Sequence, residues 1–580
     1  MSSQLPRLVR TLWYLRPSQM AYRARYMLEH RLPARPGRWR WTGPFSPRLR
    51  DDLPPVALLF SGCPTGERLP ALLAGNQLSL LGQERSFAPG APDWRLGPVT
   101  ADRLWTINLH YHAWAVALAA VPAEHPDAAV AHALLERLVQ SWLTECALER
   151  PGARSLAWNA YAIATRIGCW ARVLQLRGSA LAASPIGRAM RESLWLQAAY
   201  LDDHLERDLL ANHLLRDAVG LCWAGRLFAE PAARDWLARG TALAVEQARA
   251  QVLPDGGHFE RSPMYHLHAL EDFLTVLQLV EDPAAHQALS GTARRMIDYV
   301  GWLAHPDGTL PLFNDAAENG AAPLGGMLEE AARLGVCTPA RRSGNARHFA
   351  DTGLIAIHRA PLSILFDVGD VGPDEQPGHA HADTLTLELS VAGHRLFVDP
   401  GTFAYDDDDR RRYDRSTAAH NTVTVDGLDS SEVWQIFRVG RRARAGRAWL
   451  SESGSRLAAG GSHDGYAHLA GSPRVGRTIE LRRGVLRVED TVEGSGRHTL
   501  GGGWLLHPSW HATLTTWGWS LEGPAQHRVE IRCQGPAGLE RRIEWQPWHP
   551  GFGVEIETRR LCWCLAGALP ARVHTTITLD

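Results

Sequence analysis

Two histidines and an aspartate lie close together at residues 378–383, where the chain reads GHAHAD. His379 and His381 are two residues apart, so on an extended segment both side chains would point to the same side. A turn at this point would re-aim one of them. Downstream, Asp399 in VDPG and His420 in AHNT each lie beside a predicted strand. Two imidazoles and one carboxylate from strand ends would form a zinc site of the catalytic type, with an open coordination position.

The same residue types are also typical of structural turns at the starts of strands. Polar side chains there commonly hydrogen-bond to the backbone of the turn that they occupy. Asp383, the last residue of the GHAHAD run, is a candidate for a partner that orients a metal ligand instead of binding the metal itself. Residue chemistry alone therefore leaves both interpretations open.

A second polar group lies on a predicted helix, in the run LANHLLRD at residues 210–217. Asn212 and Arg216 are one turn apart and share a face, with His213 beside them. Polar side chains on a helix rich in leucine and valine are commonly satisfied within the core. At the inner end of a ring of helices, the same face could instead bind a carboxylate.

A tyrosine follows a helix-start signal in the run GGHFERSPMYH at residues 256–266. Ser262 and Pro263 form a typical N-cap and first-turn pair. Tyr265 would then lie in the first turn, where the positive end of the helix dipole favours a phenolate. This position suits a tyrosine that acts as an acid or a base, although a packed tyrosine with a solvated hydroxyl is the more common case.

The first half of the chain has the apolar spacing of three and four residues that is typical of helices. Short breaks separate the segments, and helix hairpins of similar length in series predict an α/α toroid with a groove at one end of its inner helices. The predicted helices lie near residues 101–121, 127–147, 156–177, 186–207, 210–228, 232–252, 262–281 and 285–304.

After about residue 345 the apolar period changes to two, which is typical of strands. Clean alternation occurs at residues 384–391 and 421–425, with further runs at 478–488 and 574–579. Gly and Asp turns between such runs predict stacked antiparallel sheets. We therefore expect three parts, which are listed here: an N-terminal extension with short helices at 1–95, an incomplete α/α toroid at 96–340 and an antiparallel β-sandwich at 341–580.

Size and charge narrow the class of protein. A chain of 580 residues exceeds what one hydrophobic core supports, so two large domains are expected. The net charge of −1 provides no long-range field that gathers polyanions, and we predict no nucleic-acid partner. A site for an acidic polymer would have to be built locally from arginine, which suits bidentate carboxylate contacts. A genome that favours arginine codons explains the arginine content equally well.

Cysteine spacing and hydropathy exclude other classes. The eight cysteines contain no CxxC pair, which argues against a structural zinc finger and a dense disulfide framework. No stretch is apolar enough to span a bilayer. The N-terminal residues 1–32 contain arginine throughout and no apolar core of signal-peptide length, so a cytoplasmic location is expected, with the periplasm as the alternative.

Taken together, six stretches resemble the heparinase II/III-like family of polysaccharide lyases, which includes heparinases and related alginate lyases. The stretches are ANHLLRD, GGHFERSPMYH, LFNDAAE, HAHADTLTLEL, FVDPGTFAY and STAAHNTVTVDG. They occur in the order of the family and at similar separations, from about residue 100 to 460. The resemblance implies the same architecture that the periodicity predicts, an incomplete toroid followed by a sandwich.

The resemblance also implies roles for individual residues. Asn212 and His213 match the pair that neutralises a uronate carboxylate, Tyr265 the acid or base, and His379 the catalytic histidine. We expect the adjoining Arg216, Glu260 and Arg261 to contact substrate. In zinc-containing members, the ligands correspond to His381, Asp399 and His420.

These assignments predict cleavage of an acidic, uronate-containing polysaccharide by β-elimination. The N-terminal text LRPSQMAYRAR resembles that of family members thought to serve exopolysaccharide or capsule production. Two alternatives stay open. One is a glycoside hydrolase on the same toroid, for which Glu260, Asp315 and Glu318 could supply the two carboxylates. The other is a noncatalytic glycan-binding protein of the same fold.

Overall fold

The computed structural model describes residues 4–32, 36–43, 46–56, 71–73, 77–87, 92–94, 103–336, 342 and 344–579. The predicted N-terminal extension therefore lies partly outside the described residues. Within it, two helices do form: α1, Gln4–Leu12, and α2, Pro17–Arg31. A hairpin of two short strands follows, β1, Gln77–Leu80, and β2, Gln83–Ser86.

A helical domain comes next, and its helices follow the predicted segments closely. They are α3, Arg103–Leu109; α4, Ala113–Ala119; α5, Ala128–Glu145; α6, Ala160–Ala183; α7, Pro185–Asp203; α8, Ala211–Leu227; α9, Pro231–Gln251; α10, Pro263–Leu279; α11, Pro283–Leu303; and α12, Leu324–Arg333. The helix predicted at 101–121 is two helices, because His112 between them has a φ of 61°. The sequence prediction missed α12.

Capping side chains explain where several of these helices begin. Asn159, Ser184, Ser262 and Asp282 each accept a hydrogen bond from a backbone N–H in the first turn. Such caps satisfy donors that the helix itself leaves free. Helix α8 is buried on nearly every side and packs against α6, α9 and α10. It is therefore an inner helix of the toroid.

The β domain follows, and the neighbouring strands of its sheets pair antiparallel. Its strands are β3, Ala346–Phe349; β4, Leu354–Arg359; β5, Leu362–Asp367; β6, Leu387–Val391; β7, His394–Phe397; β8, Val423–Val425; β9, Val433–Trp434; β10, Arg438–Val439; β11, Ala445–Ser453; β12, Arg456–His463; β13, Arg474–Arg482; β14, Val485–Glu493; β15, Arg497–Leu505; β16, His511–Thr515; β17, Gly518–Glu522; β18, Arg528–Gln534; β19, Glu540–Gly551; β20, Val554–Ala568; and β21, Ala571–Leu579. One further helix, α13, spans Asp409–Arg415.

Three large sheets share the core of this domain. Their strand orders are β3-β4-β5-β6-β7, β11-β12-β13-β14-β21-β18-β17-β16 and β19-β20-β15-β8. Buried apolar side chains from all three sheets form one cluster. The predicted toroid and sandwich are therefore confirmed. None of the helices described is long and apolar enough to cross a membrane.

Two strand predictions were wrong in detail. The run at 478–488 is the end of β13 and the start of β14, joined by a turn at Arg483 and Gly484, both with positive φ. The run at 384–391 is a strand only from Leu387 onward. In both places the alternating pattern of residue types continues through a turn, so the pattern alone does not mark where the strand begins or ends.

Arg477 on β13 ties the sandwich to the loops that carry the candidate site. Its side chain is 2% exposed. The guanidinium donates to both oxygens of Asp490, at 2.7 and 3.1 Å, and to the carbonyl oxygens of Leu385 and Asn421. Removing one partner of a buried ion pair leaves the other charge uncompensated.

We therefore predict that Asp490→Ala lowers the free energy of unfolding of the β domain by about 3–5 kcal/mol. Denaturant unfolding followed by circular dichroism measures this change. Glu480→Ala is the matched control, because its partner Arg456 is half exposed and such surface pairs contribute only about 0–1 kcal/mol. Equal losses for the two variants would contradict the role assigned to the buried pair.

Candidate active site between the helical and β domains

One cavity of about 640 Å³ contains side chains from both domains. Asn212, His213, Arg216 and Tyr265 line it from the helical domain, and His379 lines it from the β domain. These five predicted residues are separated by up to 167 positions in the chain (379 minus 212). The fold therefore brings the predicted catalytic residues into one cavity.

The starts of three neighbouring helices open onto this cavity. Tyr161 in the first turn of α6, Asn212 in that of α8 and Tyr265 in that of α10 all line it. The N-terminus of a helix carries free N–H groups and a partial positive charge, which favour anions. A carboxylate-bearing ligand is thus matched to this end of the toroid.

Asn212 and His213 differ in their surroundings. Asn212 is 4% exposed, and among the described residues no group hydrogen-bonds to its Oδ1. Its amide is available to a ligand in the cavity. The Nδ1 atom of His213 lies 3.2 Å from Oε2 of Glu206. Burial works against a charged imidazole, but the attraction and hydrogen bond of Glu206 outweigh it, so the pKa of His213 is raised.

Tyr265 has the helix-start position that its sequence predicted. Ser262 caps α10 by accepting a hydrogen bond from the N–H of Tyr265 at 3.2 Å. The Tyr265 ring stacks on His379 with centroids 3.6 Å apart and an angle of 11°. Its hydroxyl lies 3.0 Å from the hydroxyl of Tyr405. Tyr265 therefore contacts His379 through its ring and Tyr405 through its hydroxyl, and all three side chains line the cavity.

The environment of these tyrosines keeps them protonated, contrary to the phenolate that the helix position suggested. Burial raises the pKa of Tyr265 well above 10, and the neighbouring Tyr405 and Asp315 add to this effect. Burial likewise raises the pKa of Tyr405. Desolvation exceeds the contribution of the helix terminus because a buried anion loses far more hydration than one helix dipole restores. Both hydroxyls are therefore proton donors in the free protein.

Glu260 holds His379 in place. Its carboxylate hydrogen-bonds to Nδ1 of His379, and it is 2% exposed. Burial opposes ionisation of Glu260, but the attraction and hydrogen bond of His379 outweigh it and lower the pKa of Glu260. An ionised carboxylate can only accept a hydrogen bond, so Nδ1 of His379 must carry the proton. This leaves Nε2 as the basic atom of the neutral ring. This is the arrangement of a general base oriented by a third group.

His379 and His381 do not point to the same side, because a turn re-aims them, which is the alternative that the sequence left open. Residues 378–383 form turns instead of a strand. His379 faces the cavity, whereas the His381 ring is fully buried and its Nε2 lies 2.8 Å from Oδ1 of Asp315. The turn separates the two imidazoles into different environments.

Asp315 joins the segments that carry these residues. Its carboxylate contacts both Nη atoms of Arg411 and the ring of His381. Its backbone N–H donates to the carbonyl of His379 at 2.9 Å, and its carbonyl accepts from Ser262 at 2.5 Å. Burial raises its pKa, but Arg411 and His381 outweigh burial and hold the pKa of Asp315 below its usual range. Asp315 therefore fixes the start of α10 against the His379 turn.

The other residues expected to contact substrate have protein partners. Arg216 lines the cavity, but its guanidinium lies 3.0 Å from Asp272 and 3.6 Å from Glu271. Arg261 donates to the carbonyl oxygens of Thr352 and Asp370, each at 2.7 Å. Glu260 contacts His379, as described above. The positions of these three side chains favour roles in supporting the site, and their contact with substrate stays a prediction.

The three carboxylates considered for glycoside hydrolysis are each engaged. Glu260 contacts His379, Asp315 contacts Arg411, and Glu318 lies 3.1 Å from Arg395. A hydrolase needs one carboxyl group that is free to protonate the leaving oxygen and a second that is free as base or nucleophile. This arrangement does not favour hydrolysis.

The residues expected to bind zinc lie together inside the β domain. The rings of His381 and His420 are 5.3 Å apart, and Nδ1 of His420 lies 2.8 Å from Oδ2 of Asp399. Within the described part of the chain, no three His, Cys, Asp or Glu side chains already surround a common point as metal ligands do. His381 and His420 are neighbours, as are His420 and Asp399, but the three side chains do not converge on one point.

The chemistry of the same residues nevertheless fits a cation. Among the described residues, none hydrogen-bonds to Nδ1 of His381, Oδ1 of Asp399 or Nε2 of His420, and Oδ2 of Asp383 is a fourth buried atom without such a partner. Burial lowers the pKa of His381 to about 3 and raises the pKa of Asp399 well above its ordinary value. A cation would use the neutral imidazoles and would restore the charge of the aspartate.

Strained backbone leads into several of these residues. Non-glycine residues with left-handed φ cost about 1–3 kcal/mol each, and they persist only where the surroundings impose them. Here they directly precede Asn212, Ser262, Asp315 and Thr386. They are Leu210 (65°), Ala211 (51°), Arg261 (59°), Asn314 (57°) and Leu385 (72°).

Sequence reasoning missed Tyr405, Arg411 and the connecting role of Asp315. Tyr405 closes the quoted FVDPGTFAY stretch, so its signal was present and went unused. Asp315 was considered only as a hydrolase carboxylate. Arg411 lies among the consecutive arginines of DDDDRRRY, where no local pattern distinguishes the one that becomes buried.

Comparison with known proteins covers both domains. The profile described as "Heparinase II/III N-terminus" matches residues 85–334. The profile described as "Heparinase II/III-like, C-terminal" matches residues 341–576. The two matches together account for most of the chain, and they meet where the helical domain gives way to the β domain.

Two curated relatives are similar over part of their length. A heparin-sulfate lyase of Bacteroides stercoris is 27% identical over 252 residues, which are 39% of this chain and 38% of the relative. A heparin-sulfate lyase of Bacteroides thetaiotaomicron is 22% identical over 385 residues, which are 58% and 54% of the two chains. The chain thus spans between 38% and 54% of the length of these relatives.

Solved structures share the fold. A structure of heparinase III has a TM-score of 0.74 at 16% identity, over 97% of this chain and 92% of that one. A mutant of the heparan sulfate lyase HepC from Pedobacter heparinus has a TM-score of 0.62 at 17% identity, over 88% and 82% of the two chains. These likenesses concern the toroid and sandwich architecture.

The His213–Glu206 contact predicts a measurable pH dependence. Glu206→Gln removes the strongest of the charges that oppose the effect of burial, so the pKa of His213 should fall from its raised value. Because the folded-state pKa is raised, the contact stabilises the fold fully below about pH 6.5 and loses this effect as the pH rises through the folded value. Histidine-selective NMR titration measures both forms.

Glu149→Gln is the control for this titration, because its carboxylate lies on the surface beside Arg40. His213→Gln assigns the resonance. An unchanged midpoint in Glu206→Gln would show that Glu206 does not set the protonation of His213.

Proposed function

Because this chain belongs to the heparinase II/III-like family, we propose that it is a lyase that cleaves an acidic, uronate-containing polysaccharide by β-elimination. The observation that carries the proposal is the meeting of Tyr265, Tyr405 and His379 in the cavity that Asn212 and His213 also line. This set contains a proton acceptor, proton donors and groups that bind a carboxylate, which are the three functions that the reaction requires.

The reaction needs no reactant besides the polymer. A base removes the proton from C5 of a uronate, and the electron pair moves into the neighbouring C6 carboxylate as an enolate. The enolate then collapses to form a C4–C5 double bond, while the bond between C4 and O4 breaks. An acid gives a proton to O4, which becomes the hydroxyl of the departing chain. One polymer therefore yields two chains, one with an unsaturated uronate at its nonreducing end.

Asn212 and His213 are matched to the enolate. The first step places negative charge on the C6 carboxylate, and donors held ready at that point stabilise it. The raised pKa of His213 increases the fraction of its imidazole that is cationic at a given pH. The starts of α6, α8 and α10 add the positive ends of three helix dipoles.

His379 and Tyr265 are matched to the two proton transfers. Nε2 of His379 is the basic atom because Glu260 holds the proton at Nδ1. Tyr265 retains its proton until O4 departs, because burial raises its pKa. Tyr405 lies one hydrogen bond away and can return a proton to Tyr265. In this assignment His379 is the base and Tyr265 the acid.

The substrate class follows from the charge of the site and from the relatives. The two relatives are heparin-sulfate lyases, and heparan sulfate is therefore the first polymer to test. The N-terminal text resembles that of proteins of exopolysaccharide or capsule production, so bacterial polymers of glucuronate form the second group. The proposed mechanism requires a uronate in either case.

We also propose that a divalent cation, zinc in the first instance, is held by His381, Asp399 and His420. The four unpartnered buried atoms support this assignment. Asp315 would orient His381 from behind through its 2.8 Å contact with Nε2, as carboxylates do for many metal-binding histidines. When bound, the cation would neutralise the buried aspartates and stiffen the loops that present His379.

The first prediction of this proposal concerns Tyr265. The wild type should generate products that absorb in the ultraviolet from a uronate polymer. Tyr265→Phe keeps the ring that stacks on His379 and removes only the hydroxyl, so the rate should fall roughly 10²–10⁴-fold, the contribution of a general acid. Product absorbance over time measures the rate, and calorimetry checks that the polymer still binds.

Tyr413→Phe is a suitable control, because its hydroxyl donates to the carbonyl of Pro547 at 3.1 Å, outside the catalytic set. Normal turnover by Tyr265→Phe would remove Tyr265 from the mechanism. Products without the double bond would overturn the lyase assignment itself.

The second prediction concerns the cation. Protein purified without added metal should contain about one zinc or similar ion per chain, as expected for a site with three protein ligands. A chelator should lower the unfolding temperature, because an ion that binds only the folded state stabilises it by mass action. His420→Ala should lose both the metal and the chelator effect, whereas His468→Ala, in an exposed position, should keep them. Full occupancy in His420→Ala would refute the ligand set.

A further inference from the structure

The N-terminal helices α1 and α2 line the candidate active-site cavity. We call these helices and the turn between them the N-terminal arm, residues 4–32. Leu8, Thr11, Leu12, Leu15 and Arg23 of the N-terminal arm line the same cavity as Tyr265 and His379. Neither the sequence pattern nor the proposed chemistry assigns a role to these residues.

The second helix of the N-terminal arm is attached to the helical domain. The hydroxyl of Tyr26 donates to the carbonyl of Leu205 at 2.5 Å. Arg154 donates to the carbonyl of Glu29 at 2.9 Å. These contacts hold α2 beside residues 203–208, the segment that leads into α8 and the Asn212 position.

The first helix of the N-terminal arm is attached to the β domain. Both Nε and Nη2 of Arg10 donate to the carboxylate of Glu432, at 2.8 and 2.6 Å, and Arg7 donates to it at 3.2 Å. Trp434 donates to the hydroxyl of Thr11 at 3.1 Å. Helix α1 therefore ends up on the opposite side of the cleft from the attachment of α2.

Gln19 joins both attachments in a single side chain. It is fully buried, and its amide donates to the carbonyl of Asp208 at 3.2 Å and to that of Glu375 at 3.3 Å. Asp208 belongs to the helical domain, and Glu375 belongs to the loop that carries His379. The N-terminal arm thus crosses from one wall of the cleft to the other.

A cleft that holds the middle of a long polymer must be open at both ends. A segment that lines the cavity and is attached to both walls closes the cleft where it crosses. Three of the side chains that the N-terminal arm presents there are apolar, Leu8 and Leu12 on α1 and Leu15 in the turn that follows it. These three side chains provide no partner for the carboxylates or sulfates of a polymer that continued in that direction.

We infer that the N-terminal arm closes one end of the cleft, so that the cleft admits an end of a glycan chain and cleavage is exolytic. This inference rests on the proposed lyase function. It gives the N-terminal arm a role that the catalytic residues do not have, which is to determine where along a glycan chain the cleavage occurs. The products of exolytic cleavage are short and uniform from the start of the reaction.

The attachment of α1 can be tested because its ion pairs are accessible. The side chains of Arg7 and Arg10 are 48% and 37% exposed, and such pairs are individually weak and sensitive to salt. Arg7→Glu/Arg10→Glu places like charges against Glu432 without altering the cavity residues. Adding Glu432→Arg to this variant restores opposite charges across the same contact.

The experiment follows heparan sulfate by product absorbance and by size-exclusion chromatography of the remaining polymer. In the wild type, absorbance should rise while the polymer length hardly changes. In Arg7→Glu/Arg10→Glu the products should shift toward long, heterogeneous fragments, and the triple variant should return to short ones. Arg333→Glu/Arg528→Glu, which changes charge equally at two exposed positions, should behave as the wild type. Random fragments from the wild type would overturn the inference, as would an unchanged pattern in the double variant.

A second measurement separates this inference from the proposed function. Hydrogen exchange of the α1 amides reports the attachment without any turnover. Exchange should be slow in the wild type, faster in Arg7→Glu/Arg10→Glu and slow again in the triple variant. If no uronate polymer yields absorbance but exchange follows this order, the proposed function fails while the closure by the N-terminal arm stands. Equal exchange in all three proteins would refute the closure.

Discussion

The ion pair between Asp315 and Arg411 is the interaction on which the rest of the site depends. Both side chains are almost completely buried, at 0% and 1% exposure. A buried charge is costly unless it is paired and hydrogen-bonded. The pair can form only when residues 312–318, the start of α10, the His379 turn and α13 are all in place. The geometry of Tyr265, Tyr405 and His379 is therefore a consequence of satisfying one carboxylate.

The same constraint explains why the site lies between two hydrophobic cores instead of inside one. The cores of the helical and β domains are separate clusters of buried side chains. Polar groups with unmatched hydrogen-bonding capacity are tolerated where water or a ligand can reach them. The boundary between the domains provides such a place, and the paired acids behind it keep the reactive side chains fixed. The reactive side chains thus face the cleft on one side, where a ligand can bind, and are held rigid on the other side by the buried ion pairs.

Local sequence patterns predicted the features that depend on residues close together in the chain, such as helix positions and helix starts. The helix periodicity located α5–α11, and Ser262 with Pro263 located the start of α10 and the first-turn position of Tyr265. Contacts between distant segments were not predictable in this way. No local pattern links Arg411 to Asp315, Tyr405 to Tyr265 or Gln19 to Glu375. The opposite directions of His379 and His381 likewise follow from a turn that long-range hydrogen bonds impose.

The left-handed residues ahead of Asn212, Ser262 and Asp315 have a consequence for how such a protein adapts to heat. Glycine at Leu210, Arg261 or Asn314 would relieve a strained φ, but it would also free the chain that now aims the next side chain. Selection for thermal tolerance and selection for turnover therefore act on the same few positions in opposite directions. Gains in heat resistance are more accessible on the outer helices and sheet edges, where a substitution does not touch the cleft.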